Sequence, residues 1–575
     1  MRPSSMNWLF APLALWLGAG THAALASPPK ADEPFAVFVE RYFAAKFREN
    51  PSQGTAAGLH EYDTRLENLS RESIKARVAD LHVQLDEVGE FDLDKLSPDD
   101  AVDARILEGQ IRAELLDMDT LELWKTNPMI YAGLPGGAVD GLMKRDFAPP
   151  HERLRSLIAR LKQVPAIHAA ARANLENPPK EFTDLAIRMA KGSVGFFETS
   201  IPTWAKDAAG QDRPLAHEFE VANAAAIASL KAFASWLEAD LKLRSKGKYA
   251  IGAEMFSKKL LYEELVDRPL PEILARGEAQ LAKDYAAFVE TAKLIDPKKS
   301  PAEVMTSLSD KHPTADDLIP SVRRSIDETR AFVAEKGIAT IPSPVPPRIE
   351  ETPPYARSGS FASMDTPGPF EAKATEAFYY VTPVEKDWDA KHAEEHLRLY
   401  NGPVVAMINI HEAYPGHYLQ FLYAKSFPTK TRKLVFCGTN VEGWAHYTEQ
   451  MMVDEGFGGG DRKIRLAQLQ EALLRDCRYV VGIKLHTQGM TVEEGARLFV
   501  EKGFQEPANA YEESRRGAYN PTYLYYTYGK LQILDLRRDY LAKTGKTLRE
   551  FHDAFVAQGG VPVDLLRGIL LRETK

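Results

Sequence analysis

His411 and His417 bracket the stretch His411-Glu412-Ala413-Tyr414-Pro415-Gly416-His417, and a straight helix cannot carry both rings to one point. Each residue turns an α-helix by about 100°, so six residues leave an offset of about 240°. The Pro415-Gly416 pair removes this difficulty. Pro415 lacks a backbone N–H and Gly416 tolerates left-handed torsions, so the helix is predicted to break after Tyr414 and return His417 toward His411.

The residue types point to a metal. Two neutral imidazoles and one carboxylate leave a fourth position of tetrahedral Zn²⁺ open for water, and Glu442, in Val441-Glu442-Gly443-Trp444-Ala445-His446, supplies the carboxylate. His411, His417 and Glu442 are therefore the candidate metal ligands. Glu412 is the candidate general base, as the Glu of the related H-E-x-x-H pattern is. Upstream, Asn401-Gly402-Pro403 has the form of a helix start, and Val404, Val405, Met407, Ile408 and Ile410 predict a helix buried nearly all round. A buried helix ending in His-Glu needs partners for both side chains, which a metal and its water provide.

The motifs HEAYPGH and EGWAHYTE, with the later RRGAYNPTYLYYTYGKLQILDLR, resemble the bacterial family catalogued as domain of unknown function 885. The similarity extends over nearly all of the chain after its leader. Members of that family are regarded as zincin-like metallopeptidases of the Glu-zincin kind. The resemblance implies a mainly α, large helical zincin-like architecture with a small β-sheet near the active site. It likewise implies His411, His417 and Glu442 as zinc ligands and Glu412 as base. Many relatives read R-Y-x-x-W-P-G-Q near the C-terminus, where this chain has Arg516-Gly517-Ala518-Tyr519-Asn520-Pro521, as another branch would.

Residues 1–26 read as a secretory signal peptide. Arg2 is a short positive start, Leu9 to Gly20 is an apolar run too short to span a bilayer, and Ala24-Leu25-Ala26 offers small cleavage residues, so the mature chain is predicted to begin at Ser27 in the periplasm or secreted. No cysteine follows the leader, so lipidation there is not expected. Cys437 and Cys477 are the only cysteines, and an oxidising compartment permits a disulfide between them or leaves two buried thiols.

The 575 residues, 44% hydrophobic and 27% charged, suffice for two or more domains. The net charge of −9 is spread along the chain, which excludes a nucleic-acid footprint and a polybasic membrane patch. Residues 27–340 read as a helical N-terminal region. Ser97-Pro98-Asp99-Asp100 and the capping box Ser300-Pro301-Ala302-Glu303 are its strongest start signals. Between Ile341 and Gly368 six prolines precede a Ser/Gly-rich segment, which reads as a connector or active-site loop and places a boundary near 340. Residues 341–575 form the predicted catalytic region. There Ala377 to Thr382 has the composition of a strand, at an edge open to an extended peptide or in the core of a small sheet. Helices are predicted over Arg462 to His486 and from Val492, after the Thr491-Val492-Glu493-Glu494 capping box, to Gly503.

Tyr519, Tyr523, Tyr525, Tyr526 and Tyr528 cluster around Pro521, which is predicted to open a helix running to about Lys543 and stopping at Gly545. Gly529 inside that helix suggests close approach by another element. One tyrosine at the zinc could donate to a developing oxyanion. Tyr526 is the choice, because it lies one turn before Gly529 and because it matches the tyrosine of the family's Y-x-x-G pattern by resemblance. Arg516 is expected to bind a substrate carboxylate, and His486, at a helix end, is a further candidate. The expected function is zinc-dependent hydrolysis of peptide bonds, in short peptides. A zinc hydrolase of a non-peptide amide or ester, and a non-catalytic periplasmic binding protein on the same scaffold, are the alternatives. The chain has no G-x-S-x-G elbow of a serine hydrolase.

Overall fold

The computed structural model describes residues 34–572 apart from 353–356, 358–360 and 386–387. The leader and the predicted start at Ser27 lie outside the described residues. Among the described residues the fold is mainly α, with one three-stranded sheet.

Local signals set the helix starts. Ser97 accepts the N–H of Asp100 ahead of helix Pro98–Leu115, and Asn401 accepts that of Val404 ahead of Gly402–Glu412. Ser300 with Glu303, and Thr491 with Glu494, form reciprocal capping boxes. Each such cap is worth about 1 kcal/mol.

The chain divides into two compact units between Tyr249 and Ala250, not near 340. In the first unit, Pro367–Thr375 returns to join the helices that precede Tyr249. There Phe370 N–H donates to Ala57 O at 3.0 Å and the His60 ring meets Glu371 at 2.9 Å. Gly58, at φ +90°, is required at this junction, since a Cβ would stand 2.2 Å from the Glu371 nitrogen.

The second unit explains the misplaced boundary. Helix Leu270–Ile295 packs on Arg462–Thr487, and helix Leu318–Lys336 packs on Gly402–Glu412. The apolar stripes that require this cover include Ile273, Leu281 and Phe288 on the first helix and Leu318, Val322 and Ile326 on the second. Nor is the proline-rich stretch only a connector. It supplies β1 (Arg348–Glu351) and is followed by β2 (Ala362–Asp365), which flank β3 (Phe378–Val381). The order is β1-β3-β2, with β1 parallel and β2 antiparallel to β3. The strand expected at 377–382 is therefore central, its main chain paired on both sides, and it offers no free edge to a peptide. Its buried Tyr379 donates to Asn409 Oδ1 at 2.6 Å, tying the sheet to the helix that carries His411.

Cys437 and Cys477 are both free and buried, which removes the disulfide alternative.

Candidate metal centre

The break between the two histidines forms as expected, with two differences. Helix Gly402–Glu412 ends at Glu412 rather than Tyr414, and the Ala413 and Tyr414 N–H groups both donate to Asn409 O, at 2.9 and 3.2 Å. Gly416 has φ −69°, so left-handed torsion is not what selects glycine. Contact is the reason: a Cβ there would lie 1.8 Å from His411 O. His417 then opens the next helix, His417–Leu422. Trp444 clamps the turn by donating its indole N–H to Pro415 O at 2.9 Å. The His411 and His417 rings end 4.8 Å apart and nearly perpendicular, at 87°.

Glu442 reaches them from helix Gly438–Asp454. Glu264 anchors the start of that helix, accepting the N–H groups of Gly438 and Thr439, each at 2.8 Å, and the Thr439 hydroxyl at 2.6 Å. Glu442 lies one turn further on. Its Oε2 stands 3.4 Å from His411 Nε2 and 3.4 Å from His417 Nε2. Donors about 2.0–2.1 Å from a tetrahedral zinc stand about 3.4 Å from one another, so the spacing fits that ion. All three side chains are buried, and Glu442 Oε2 and His417 Nδ1 have no hydrogen-bond partner. Glu442 Oε2, orphaned where the Nε2 atoms of both histidines converge on it, is an atom that a cation would satisfy. Burial disfavours charge on Glu442, but the two histidines outweigh it and hold the acid well below the usual carboxylate range. Burial likewise opposes a proton on His411, yet Glu442 and Glu449 lift it to about 9.

Glu412 stands apart from this set. It is half-buried, and its carboxylate has no hydrogen bond or ion pair among the described residues.

Glu449 was not singled out from the sequence. It accepts from His411 Nδ1 at 2.7 Å, which aims Nε2 toward Glu442, and its other oxygen meets His446 Nδ1 at 3.2 Å. Burial opposes its charge, but Arg475 and the two histidines keep it well below the ordinary range. His446 lies outside the converging set, its Nδ1 facing Glu449, and burial, reinforced by Lys530, pushes its pKa down to about 3. A signal for Glu449 existed in EGWAHYTE, since Glu442 and Glu449 are two helical turns apart and share a face. Glu449→Gln is expected to weaken zinc retention by about 10- to 100-fold, read by competition with a chromophoric chelator. Unchanged retention would remove its orienting role.

The expected tyrosine is beside the histidines. Helices Gly438–Asp454 and Tyr525–Thr544 cross at Gly443 and Gly529, where a Cβ on Gly443 would come within 2.7 Å of Gly529 Cα. The close approach inferred from Gly529 is thus real, although Pro521 lies in a turn and the helix begins at Tyr525. The crossing brings the Tyr526 ring to 6.4 Å from the His411 ring, roughly parallel at 28°. Burial and the Glu442 charge both raise the Tyr526 pKa, so the phenol keeps its proton. Its oxygen accepts from Arg516 Nη2 at 3.3 Å, and its own O–H finds no acceptor among the described residues. Tyr523 and Tyr528 are buried in the core, Tyr523 against Gly482 and Gly517 and Tyr528 edge-on to Tyr479.

His486 does not join them. Its Nε2 donates to Gly517 O at 2.8 Å and its Nδ1 accepts from Ile251 N–H at 3.4 Å, so main chain holds both nitrogens. It supports the helix of Arg516 instead of facing a substrate.

Compared with known proteins, residues 51–570 match the family described as "Bacterial protein of unknown function (DUF885)". No functionally curated protein matches the chain. Among solved structures, one described as "a putative lipoprotein of unknown function" from Shewanella oneidensis is 27% identical, with a TM-score of 0.79 over 94% of this chain and 100% of that one. A second, "the putative lipoprotein from Colwellia psychrerythraea", is 19% identical, with a TM-score of 0.78 over 93% of this chain and 98% of that one, and shows a shared fold.

Proposed function

The chain belongs to the DUF885 family of bacterial proteins, and from that premise and the geometry at His411 we propose that it is a zinc-dependent hydrolase of peptide bonds, zincin-like in its chemistry. One observation carries the reading. Three buried side chains converge, Glu442 Oε2 standing 3.4 Å from the Nε2 of each histidine, while the neighbouring Glu412 carboxylate is left unbonded. A purely structural zinc has four closed protein ligands and needs no base; three ligands and a free carboxylate suit catalysis.

Zinc held by His411, His417 and Glu442 would supply Lewis acidity and lower the pKa of water toward about 7. Glu412, half-exposed, takes the proton of the attacking water and returns it to the departing nitrogen, without which an amine is a poor leaving group. Tyr526, whose ring lies 6.4 Å from the His411 ring and whose O–H has no acceptor among the described residues, can donate to the carbonyl oxygen as negative charge develops. Glu449 keeps the His411 ring in the tautomer that presents Nε2. We place the protein outside the cytoplasm, in keeping with the leader pattern and the lipoprotein descriptions of the two relatives.

Incubating the zinc-replete protein with a mixed peptide library and sequencing the products tests this reading. Cleavage that a chelator abolishes and zinc restores is expected; no cleavage of any peptide would sink it. In the same assay Tyr526→Phe is expected to lower kcat about 100- to 1000-fold with KM and zinc content little changed. Near-normal kcat would move the donor role elsewhere.

A further inference from the structure

Three guanidinium groups surround the ring of Tyr526: Arg478 at 5.0 Å from its centroid, and Arg475 and Arg516 each at 5.9 Å. Two of them are neutralised. Arg475 pairs with Glu471 and stands 3.5 Å from Glu449, while Arg478 grips Glu513 with two bonds of 2.7 and 2.8 Å. Arg516 differs. Only 7% exposed, it makes a single side-chain hydrogen bond, to the Tyr526 hydroxyl, and no carboxylate oxygen lies within 4.0 Å of it among the described residues. Its charged and titratable neighbours include the phenols of Tyr526, Tyr525, Tyr519 and Tyr523, and Glu513, whose two oxygens Arg478 already occupies.

A buried cation without a counterion is costly, and the guanidinium fork matches the two oxygens of a carboxylate. We propose that Arg516 anchors the C-terminal carboxylate of the substrate, so that the protein removes short fragments from the C-termini of peptides. The proposal rests on the hydrolase reading above and specifies its substrate. Tyr526 fixes the distance: its hydroxyl meets Arg516 and its ring stacks on His411. An extended peptide advances about 3.3 Å per residue, so a carboxylate on Arg516 puts the scissile bond roughly one to three residues upstream.

The test uses N-acetylated tri- to hexapeptides made in three forms: free acids, C-terminal amides, and amides ending in Glu. Binding is measured by calorimetry on full-length, zinc-loaded Glu412→Gln, and cleavage is followed by mass spectrometry on the unsubstituted protein. Charge-assisted hydrogen bonds of the usual strength predict that free acids bind about 10- to 100-fold tighter than amides. Arg516→Met should erase that difference, and Arg516→Lys, which keeps the charge but not the fork, should retain part of it. The acid–amide comparison needs no change at Arg516, so a variant that fails to fold leaves the proposal testable. Equal binding of acids and amides overturns it, as does equally tight binding of the Glu-ending amides, which would show a pocket for any carboxylate. Amides cleaved as fast as acids would leave the hydrolase standing and remove the anchor. Preferential binding of acids with no cleavage of any form would keep the anchor and overturn the hydrolase.

Discussion

Glu412→Gln is expected to retain a full complement of zinc while turnover falls by about 10²- to 10⁴-fold, the usual contribution of a positioned general base. The two halves of this result have separate causes. Zinc stays because the converging donors are His411, His417 and Glu442, and Glu412 is not among them. Turnover falls because the amide is nearly the same shape as the carboxylate but cannot accept a proton at neutral pH. Glu412 is also suited to the substitution. It ends the Gly402–Glu412 helix, is half-buried, and has no bond to the described residues that Gln would disrupt. Elemental analysis and steady-state kinetics on one preparation check both halves. Near-normal kcat would assign proton transfer to another group, and loss of zinc would make Glu412 a ligand.

The second large effect is on metal binding itself. His411→Ala, His417→Ala and Glu442→Ala are each expected to lose most bound zinc, since two protein donors in place of three leave too few contacts to hold the ion. Because a ligand that binds only the folded state stabilises it, the unsubstituted protein should gain about 2.7 kcal/mol when free zinc is a hundred times its Kd. The three variants should gain little. His486→Ala is the control. Both its ring nitrogens are held by main chain, so removing it should lower stability and leave zinc content unchanged. Full zinc occupancy in all three ligand variants, or zinc loss in His486→Ala, would contradict the assignment.

What could be read from the sequence was local. Asn401, Ser300 and Thr491 cap their helices through bonds that reach three residues along the chain, and all three were legible. The Pro-Gly break between His411 and His417 is as local, which is why the candidate ligand set could be proposed from residue types and spacing. Even there the reason for Gly416 was misjudged, because the atom that excludes a Cβ is the His411 carbonyl, brought close only by the folded turn.

Tertiary structure decided which helix meets which. Glu449 belongs to the centre because a helix 38 residues away in sequence turns it toward His411. Arg475, Arg478 and Arg516 look alike in sequence, and only their packing shows that two have carboxylate partners and one has none. The unit boundary moved to Tyr249 because the helices after it bury their stripes against Arg462–Thr487 and Gly402–Glu412, and composition does not record which surface a stripe will find. Strand Phe378–Val381 became central for the same reason, since its partners lie on the N-terminal side across a proline-rich stretch. Capping and helix breaking act within a turn of chain. Counterion pairing, sheet order and domain limits depend on contacts across tens to hundreds of residues, which only close packing of the whole unit selects.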